Sequence, residues 1–195
     1  MIIAVVGSGG KTTHIKKLAS RYQNEGKTVL ITTSTHMFIE DDTLLTDDAS
    51  TIIQALKETG RVMAGIPDGP KIRALSRETF HSVCAYADVV LVEADGSKHM
   101  PLKYPNATEP VIPEGTDQIL VVWGPHGLNR PAREVCHRLD LVTRCLGIGE
   151  DTPITLDHVR QLLQTGYLIP LRKQYPHAKI TVYPQLQTEK IPDAL

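Results

Sequence analysis

Short apolar runs alternate along the chain with longer amphipathic stretches. Runs rich in β-branched residues are typical of buried strands, and apolar residues spaced by three and four are typical of helices. The runs predict strands at residues 2–6, 28–33, 61–66, 88–93, 119–123 and 179–183. The amphipathic stretches predict helices at 12–24, around 52–56, at 76–87 and at 155–165.

Strands that alternate with helices predict an α/β fold with a mostly parallel sheet. Right-handed crossovers then place helices on both faces, which gives three layers. A length of 195 residues is typical of one domain, which we expect at 1–184. No periodicity follows Pro184, so we expect residues 185–195 to form a poorly ordered tail.

Charge and cysteine usage narrow the class of protein. The net charge is −1, which argues against a general binder of nucleic acid or of acidic membranes. No apolar run is long enough to span a bilayer, and the start lacks the pattern of a signal peptide. Three widely spaced cysteines are typical of a reducing compartment, so we expect a cytoplasmic protein. The oligomeric state stays open.

A glycine-rich motif joins the first strand to the first helix. Small residues let successive backbone N–H groups turn toward an anion, and a helix N-terminus behind them favours negative charge. We expect Lys11 to reach the β- and γ-phosphates of a nucleotide and the Thr12 hydroxyl to bind Mg²⁺. The predicted phosphate-binding residues are Gly7, Ser8, Gly9, Gly10, Lys11, Thr12 and Thr13.

This motif is a short form of the Walker A pattern, G-x-x-G-K-T-T, because Val5 stands where the full pattern has its first glycine. A plain glycine-rich turn with a surface lysine is the alternative. The strand before the motif and the helix after it favour a nucleotide site and an architecture like that of the P-loop NTPases.

Two carboxylates follow the most apolar strand. Glu93 and Asp95 lie two residues apart, so they point to the same side of an extended chain. We predict both as Mg²⁺ ligands together with Thr12, and as catalytic residues together with Lys11. One of them alternatively orients an attacking water or a substrate, or Asp95 merely forms a turn with Gly96.

Hydroxyl side chains end the second predicted strand. Thr33 and Thr35, with His36, stand where ligands bind in open α/β sheets, so we predict that Thr33 and Thr35 contact the nucleotide. Strand propensity alone is the competing explanation.

The remaining charged residues carry weaker signals. Lys98 and Lys103 are expected to be solvated, with binding of an acidic substrate as the alternative. Arg130, Arg133 and Arg138 are expected at the surface, with an arginine finger as the alternative. Histidine spacing does not support a zinc site. The proline-rich segment 101–113 is not helical, and we expect it to be a lid or a partner surface.

The combined motifs resemble the YqeC family. They are G-S-G-G-K-T-T at 7–13, I-T-T-S-T-H at 31–36, V-L-V-E-A-D-G-S-K-H-M-P-L-K at 90–103 and E-P-V-I-P at 109–113. The likeness runs from residue 2 to about 163 and is most specific at 91–113, whereas Mur-type peptide ligases carry a similar glycine-rich loop. The residues of this chain that match positions of the family's motifs are Gly7, Gly10, Lys11, Thr12, Glu93, Asp95, Gly96, Ser97, Lys103, Glu109 and Pro110.

Members of this family are described as accessory proteins of selenium-dependent molybdenum hydroxylases. Many continue into a segment like L-N-K-x-D, which recognises guanine in other P-loop proteins. The corresponding strand here reads I-T-V-Y-P-Q at 180–185, which leaves open the base, between ATP and GTP, and whether the chain is a shortened member.

We therefore predict a Mg²⁺-dependent nucleoside triphosphate binder and slow hydrolase. By resemblance it would serve the maturation of a molybdenum hydroxylase, its client partner. A small-molecule kinase or a Mur-like ATP-dependent ligase is the first alternative. A non-catalytic scaffold that nucleotide stabilises is the second.

Overall fold

The first strand is built from β-branched residues that are buried on both faces, which is typical of the centre of a parallel sheet. The computed structural model describes residues 1–186. Eleven strands form there: β1 Ile2–Gly7, β2 Val29–Thr33, β3 His36–Phe38, β4 Thr43–Leu45, β5 Arg61–Asp68, β6 Lys71–Arg73, β7 Val89–Glu93, β8 Leu102–Lys103, β9 Gln118–Val122, β10 Cys136–His137 and β11 Lys179–Tyr183.

Seven α-helices accompany the strands in this part of the chain. They are α1 Lys11–Asn24, α2 Ala49–Thr59, α3 Arg77–Cys84, α4 Ala132–Val135, α5 Leu139–Leu146, α6 Leu156–Leu163 and α7 Ile169–Gln174. A π-helical turn, Gln164–Leu168, joins α6 to α7. None of these helices combines the length and the apolar content that crossing a bilayer requires.

The nine-stranded main sheet is mostly parallel. Its order is β11-β9-β1-β7-β2-β5-β6-β3, with β4 paired to β5. Only β3 and β6 run antiparallel to their neighbours. A separate two-stranded parallel sheet joins β8 to β10. The predicted α/β fold with a mostly parallel sheet is thus confirmed.

Helices pack on both faces of the sheet, as predicted. On one face, Ile15 and Ala19 of α1 pack against Val5 and Leu91. The other face is covered in two parts. Helices α2 and α3 pack near β2 and β7, and α5, α6 and α7 pack near β1 and β9. Because strand residues alternate between the faces, each central strand contributes to both layers.

The carboxyl ends of the parallel strands meet at one edge of the sheet. Val5 and Thr33 both lie opposite Glu93 in the register, and Gly7 lies opposite Val122. Ligands of open α/β proteins bind at this edge. The topology therefore gathers the glycine-rich loop, the end of β2 and the end of β7 around one place.

An antiparallel extension of the sheet was not predicted. Strand β5 continues to Asp68, turns at Gly69 with φ 57°, and returns as β6. Strands β3 and β6 are only three residues long, which is too short for an alternation of apolar and polar residues to be recognised. Most of the tail expected at 185–195 lies outside the described residues, and the single domain expected at 1–184 stays a prediction.

Candidate functional site

The glycine-rich loop, residues 7–13, adopts a backbone that only glycine tolerates at key positions. Gly7 has φ 92° and Gly9 has φ 79°. A Cβ on Gly7 would lie 2.1 Å from the Val122 carbonyl oxygen, and one on Gly9 would lie 2.4 Å from Gly124 Cα. The loop is therefore clamped against the end of β9, where the Ser8 N–H donates to the Val122 carbonyl oxygen at 2.8 Å.

Helix α1 begins at Lys11, within residues 7–13, and its first turn is uncapped. Gly10 is the N-cap residue, and no side chain within residues 1–186 caps it. The free N–H groups of a first helical turn attract an anion, as does the positive end of the helix dipole. Gly10, Thr12 and Thr13 line an open cleft at this point.

Lys11 is a buried cation at the head of α1. Its side chain is only 3% exposed. Its Nζ donates to the Gly7 carbonyl oxygen at 2.9 Å and to Ser97 Oγ at 3.2 Å. The same Nζ lies 3.3 Å from Asp95 Oδ1 and 3.9 Å from Glu93 Oε1. Lys11 is thus held between the loop and two carboxylates rather than extended into solvent.

Glu93 faces the cleft at the end of β7. Its Oε2 accepts a hydrogen bond from Thr12 Oγ1 at 2.9 Å. Burial raises the pKa of Glu93, while the Lys11 charge and the Thr12 hydrogen bond act in the opposite direction. A carboxylate and a hydroxyl oxygen are ligands that Mg²⁺ prefers, so this pair fits a magnesium ion.

Asp95 lies behind Lys11 and is completely buried. Its Oδ2 accepts from the Gly7 N–H at 3.1 Å and from the Tyr167 hydroxyl at 3.0 Å. Lys103 Nζ lies 3.3 Å from the same oxygen. Within the described residues, Oδ1 accepts no hydrogen bond and has only the ion pair with Lys11. Asp95 therefore contacts the glycine-rich loop, Lys11, Lys103 and Tyr167 at the same time.

Lys103 is buried, which corrects the expectation of a solvated side chain. Its Nζ lies 2.8 Å from Glu109 Oε2 and also donates to the Gly96 carbonyl oxygen. Glu109 Oε1 in turn accepts from Arg138 Nη2 at 2.8 Å. Burial alone would raise the pKa of Glu109, but Lys103 and Arg138 outweigh it and lower that pKa. Arg138, expected at the surface, is likewise half-buried in this network.

The proline-rich segment is partly internal rather than a free lid. Pro101, Leu102, Lys103 and Pro105 are buried. The Pro101 carbonyl oxygen accepts from the Gly124 N–H at 2.9 Å, beneath the glycine-rich loop. The first half of the segment is therefore a wall of the site, and its exposed residues, Ala107, Thr108 and Val111, all lie in the second half.

The cleft at the carboxyl edge has a volume of about 1030 Å³. It brings many of the predicted site residues together. Those that line it are Gly9, Gly10, Lys11, Thr12, Thr13, Thr35 and Glu93. Other predicted residues lie behind this surface. Gly7 and Ser8 face the interior beside Trp123, and Asp95 is enclosed.

Thr33 also lies behind the cleft. Its hydroxyl donates to the Glu93 carbonyl oxygen at 2.8 Å and accepts from the Thr35 N–H at 3.0 Å. Thr33 therefore fixes the ends of β2 and β7 relative to each other, and Thr35 is the residue of this pair that reaches the cleft.

Sequence reasoning missed Tyr167 and the roles of Glu109 and Arg138. Tyr167 sits in the π-helical turn, a local distortion that is frequent at functional sites but has no sequence pattern. Glu109 lies in a loop shortly after Lys103, and Arg138 lies much further along the chain as the residue before α5, so no periodicity joins the three.

Comparison with known proteins identifies relatives of this chain. A family model described as YqeC protein matches residues 3–140. The uncharacterized protein YqeC of Escherichia coli (strain K12) is 33% identical over 175 residues, covering 84% of this chain and 67% of that protein. No solved structure matches the chain. The matched region includes the glycine-rich loop, Glu93, Asp95, Lys103 and Arg138, while Tyr167 lies beyond the family model.

Proposed function

Because the chain belongs to the YqeC family, whose motifs surround this cleft, we propose that it binds a nucleoside triphosphate with Mg²⁺ and hydrolyses it slowly. The observation that carries the proposal is Lys11. A buried lysine at an uncapped helix N-terminus, behind a loop that requires glycine, is the arrangement that phosphate recognition needs.

The loop and Lys11 would share the phosphate charge. Backbone N–H groups of the uncapped first turn supply donors, and Lys11 supplies a cation that Asp95 and Glu93 already hold in place. Since the side chain is ordered before the ligand arrives, little rotamer freedom is lost on binding.

Thr12 and Glu93 would hold the magnesium ion. Their oxygens lie 2.9 Å apart beside the loop, and both residues line the cleft. An ion held there would neutralise charge on the β- and γ-phosphates. Within residues 1–186, no group of three or more His, Cys, Asp or Glu side chains is placed to hold a metal. The remaining ligands would therefore be phosphate oxygens and water.

Asp95 supports this site from behind instead of entering it. Its oxygens are already taken up by the Gly7 N–H, Tyr167 and two lysines. We therefore assign Asp95 to positioning Lys11 and the loop, although the sequence predicted it as a Mg²⁺ ligand and a catalytic residue.

We expect slow turnover because the acidic side chains near the cleft already have other partners or roles. Asp95 and Glu109 are paired with lysine and arginine, and Glu93 is assigned to the metal. Thr35 and His36 line the cleft at the end of β2 and are left to orient the attacking water. Water adds to the γ-phosphorus, the bond to the bridging oxygen breaks, and a proton is released with the products.

The cellular role we propose is maturation of a selenium-dependent molybdenum hydroxylase. It rests on the resemblance to the YqeC family, and the nucleotide state would switch the loops that a client contacts. If this is right, hydrolysis accelerates when the client enzyme is added. Fast turnover without a client would count against it.

The first experiment is thermal unfolding with ATP, GTP and CTP, each with and without Mg²⁺. A ligand at 100 times its dissociation constant stabilises a folded protein by about 2.7 kcal/mol. We expect a Mg²⁺-dependent rise in Tm with ATP or GTP that is lost in Lys11→Ala. Lys17→Ala is the matched control, because Lys17 is an exposed lysine on the same helix. No shift with any nucleotide, or an equal shift in both variants, would contradict the proposal.

A small-molecule kinase is the second candidate, and the size of the cleft favours it. The cavity of about 1030 Å³ also exposes Lys71, Lys98 and Arg138 away from the loop, which suits an anionic acceptor. Product analysis separates the two: phosphate release alone supports the hydrolase, and a phosphorylated acceptor supports the kinase.

A further inference from the structure

An aromatic pair lies beside the first turn of α1. The centres of the His14 and Tyr183 rings are 4.0 Å apart, and the ring planes meet at 34°. Tyr183 is the last residue of β11, and it is 42% exposed although it belongs to the sheet. His14 therefore covers one side of the Tyr183 ring, while much of the remaining ring surface is open to solvent.

Tyr183 points to the face of the sheet that α1 covers. In the same strand, Ile180 and Val182 pack against the layer formed by α5, α6 and α7. Because the side chains of a strand alternate between two faces, Tyr183 points to the opposite face. Burial lowers the pKa of His14, so its ring is neutral near pH 7. The pair thus forms an uncharged aromatic surface beside the head of α1.

The sheet fixes the position of this pair relative to the glycine-rich loop. Gly7 lies opposite Val122 of β9, and Val122 lies opposite Tyr183. Neighbouring strands are about 4.8 Å apart, so the Cα atoms of Gly7 and Tyr183 are roughly 10 Å apart across two strand spacings. The Trp123 N–H donates to the Tyr183 carbonyl oxygen at 3.0 Å, and Trp123 Nε1 donates to the Pro184 carbonyl oxygen at 2.8 Å. The end of β11 is therefore held beside the loop.

The proposed magnesium site sets the direction in which a nucleotide would lie. Thr12 and Glu93 would hold the ion on the β7 side of β1, whereas β9 and β11 lie on the other side of β1. Magnesium ions in such sites bridge the β- and γ-phosphates. The γ-phosphate would therefore face β7, and the α-phosphate and nucleoside would leave the loop toward β9 and β11. Thr13 lines the cleft, and His14 is the next residue along the helix.

We infer that the base of the bound nucleotide stacks on the open side of the Tyr183 ring, which His14 supports from the other side. The inference deepens the proposed function and rests on it for the position of the phosphates. Aromatic side chains accept any base in this way, because every base has a π-face. Residues 178–186, which surround Tyr183 in the chain, contain no aspartate or glutamate that could accept the N–H groups of guanine.

The substrate class is therefore purine nucleoside triphosphates, with adenine and guanine bound alike. Stacking strength is the source of base preference at such a surface. Cytosine offers a smaller ring than either purine, so CTP binds more weakly than ATP and GTP.

Isothermal titration calorimetry of the full chain separates the contribution of the base from that of the phosphates. The four ligands are ATP, GTP, CTP and inorganic triphosphate, which has no base, each with Mg²⁺. We expect the dissociation constants of ATP and GTP to agree within about threefold, and both purine nucleotides to bind at least about fivefold more tightly than triphosphate.

Variants of the aromatic pair identify where the base lies. Tyr183→Ala should weaken the binding of ATP and GTP at least about fivefold and leave triphosphate binding unchanged, which also shows that the variant is folded. Tyr183→Phe keeps the ring and should bind like the wild type. Tyr86→Ala is the matched control, because Tyr86 is an exposed tyrosine just before β7, at the opposite end of the strands. Lys11→Ala should weaken all four ligands.

Three results would overturn the inference while leaving the phosphate site intact. They are equal affinities for ATP and triphosphate, an unchanged affinity for ATP in Tyr183→Ala, and a preference between ATP and GTP of more than about tenfold. Loss of triphosphate binding in Tyr183→Ala would also overturn it, because the ring would then support the loop rather than the base. If none of the four ligands binds to the wild type, the proposed function fails and the inference fails with it.

Discussion

Lys98 and Lys103 show how one residue type takes two roles within five positions. Lys98 is exposed, whereas the Lys103 side chain is fully buried between Asp95 and Glu109. Two lysines in one loop look alike in a sequence. What separates them is the pairing of β8 with β10, which forms only when distant parts of the chain meet.

Replacing Lys103 should therefore be far more damaging than replacing Lys98. Lys103→Met removes the cation that pairs with the fully buried Asp95 and with Glu109, and breaking a buried pair costs about 3–5 kcal/mol. Lys98→Met should change the free energy of unfolding by no more than about 0.5 kcal/mol. Urea denaturation of both variants measures the difference, and equal effects would refute the network described for Lys103.

The pH dependence of stability should separate Glu93 from Glu109. Burial raises the pKa of Glu93 above 4.5, so the folded state keeps that proton to higher pH than the unfolded state does. Relative to Glu93→Gln, the wild type should lose stability as pH rises from about 4.5 through the raised value.

The change of stability with pH has the opposite sign for Glu109. Despite burial, Lys103 and Arg138 lower the pKa of Glu109, so its contribution is present above 4.5 and is lost as pH falls through the lowered value. Free energies of unfolding measured across this range for Glu93→Gln and Glu109→Gln check both directions. Parallel curves for the two variants would show that the carboxylates do not differ in this way.

At the scale of single residues, the sequence points to side chains whose signal is local: Lys11 and Thr12 in the glycine-rich loop, and Glu93 at the end of an apolar strand. The structure brings the three together at one cleft, while their roles there stay predictions. The contact between Tyr167 and Asp95 joins residues 72 positions apart. The surroundings of Lys103 depend on how loops pack together. No pattern of neighbouring residues encodes such contacts.

Among the elements, the glycine-rich loop is the most restrictive. Gly7→Ala would bring a Cβ to 2.1 Å from the Val122 carbonyl oxygen at φ 92°. Because a backbone atom blocks the space, we expect a loss above about 4 kcal/mol, at the far end of single substitutions. Gly69→Ala is the matched control, since φ is 57° but the space is open. Its cost should stay near the 1–2 kcal/mol of a left-handed non-glycine residue.

Urea denaturation followed by circular dichroism measures both variants. A small loss of stability for Gly7→Ala would mean that the loop moves away from β9 at little cost. The conclusion that the loop is held tightly against β9 would then be wrong.

Elements with strong patterns were predicted well. The apolar runs of β1, β7 and β9 end within a residue or so of the predicted bounds, because these strands are buried on both faces. Helix α6 was predicted, but its continuation through the π-helical turn into α7 was not. Pro170 interrupts the helical pattern there, and Gly166 packs so closely on Pro105 that a Cβ would lie 2.9 Å from Pro105 Cδ.

For the whole molecule, the Asp95 network connects the edge of the sheet to the layer formed by α5, α6 and α7. Tyr167 reaches Asp95 from the π-helical turn, and Asp95 holds the glycine-rich loop. A ligand that stabilises the loop should therefore also stabilise the turn, which does not line the cleft.

Hydrogen exchange measures this connection. On adding the nucleotide with Mg²⁺, we expect slower amide exchange at Gln164–Leu168 as well as at residues 7–13. Tyr167→Phe should keep the effect at the loop and lose it at the turn. Slowing confined to the loop in the wild type would argue against the connection.

The partners of Asp95 are far apart in the order of synthesis. Gly7 and Lys11 leave the ribosome among the first residues, but Tyr167 follows roughly 160 residues later, which at about 5–20 residues per second means about 8–32 s. The loop also needs β9, the strand against which it is clamped, before its shape is complete. If the chain binds nucleotide as proposed, a nascent chain would carry the glycine-rich loop long before the contacts of Asp95 are complete. Nucleotide would then be captured only after Tyr167 has been synthesised.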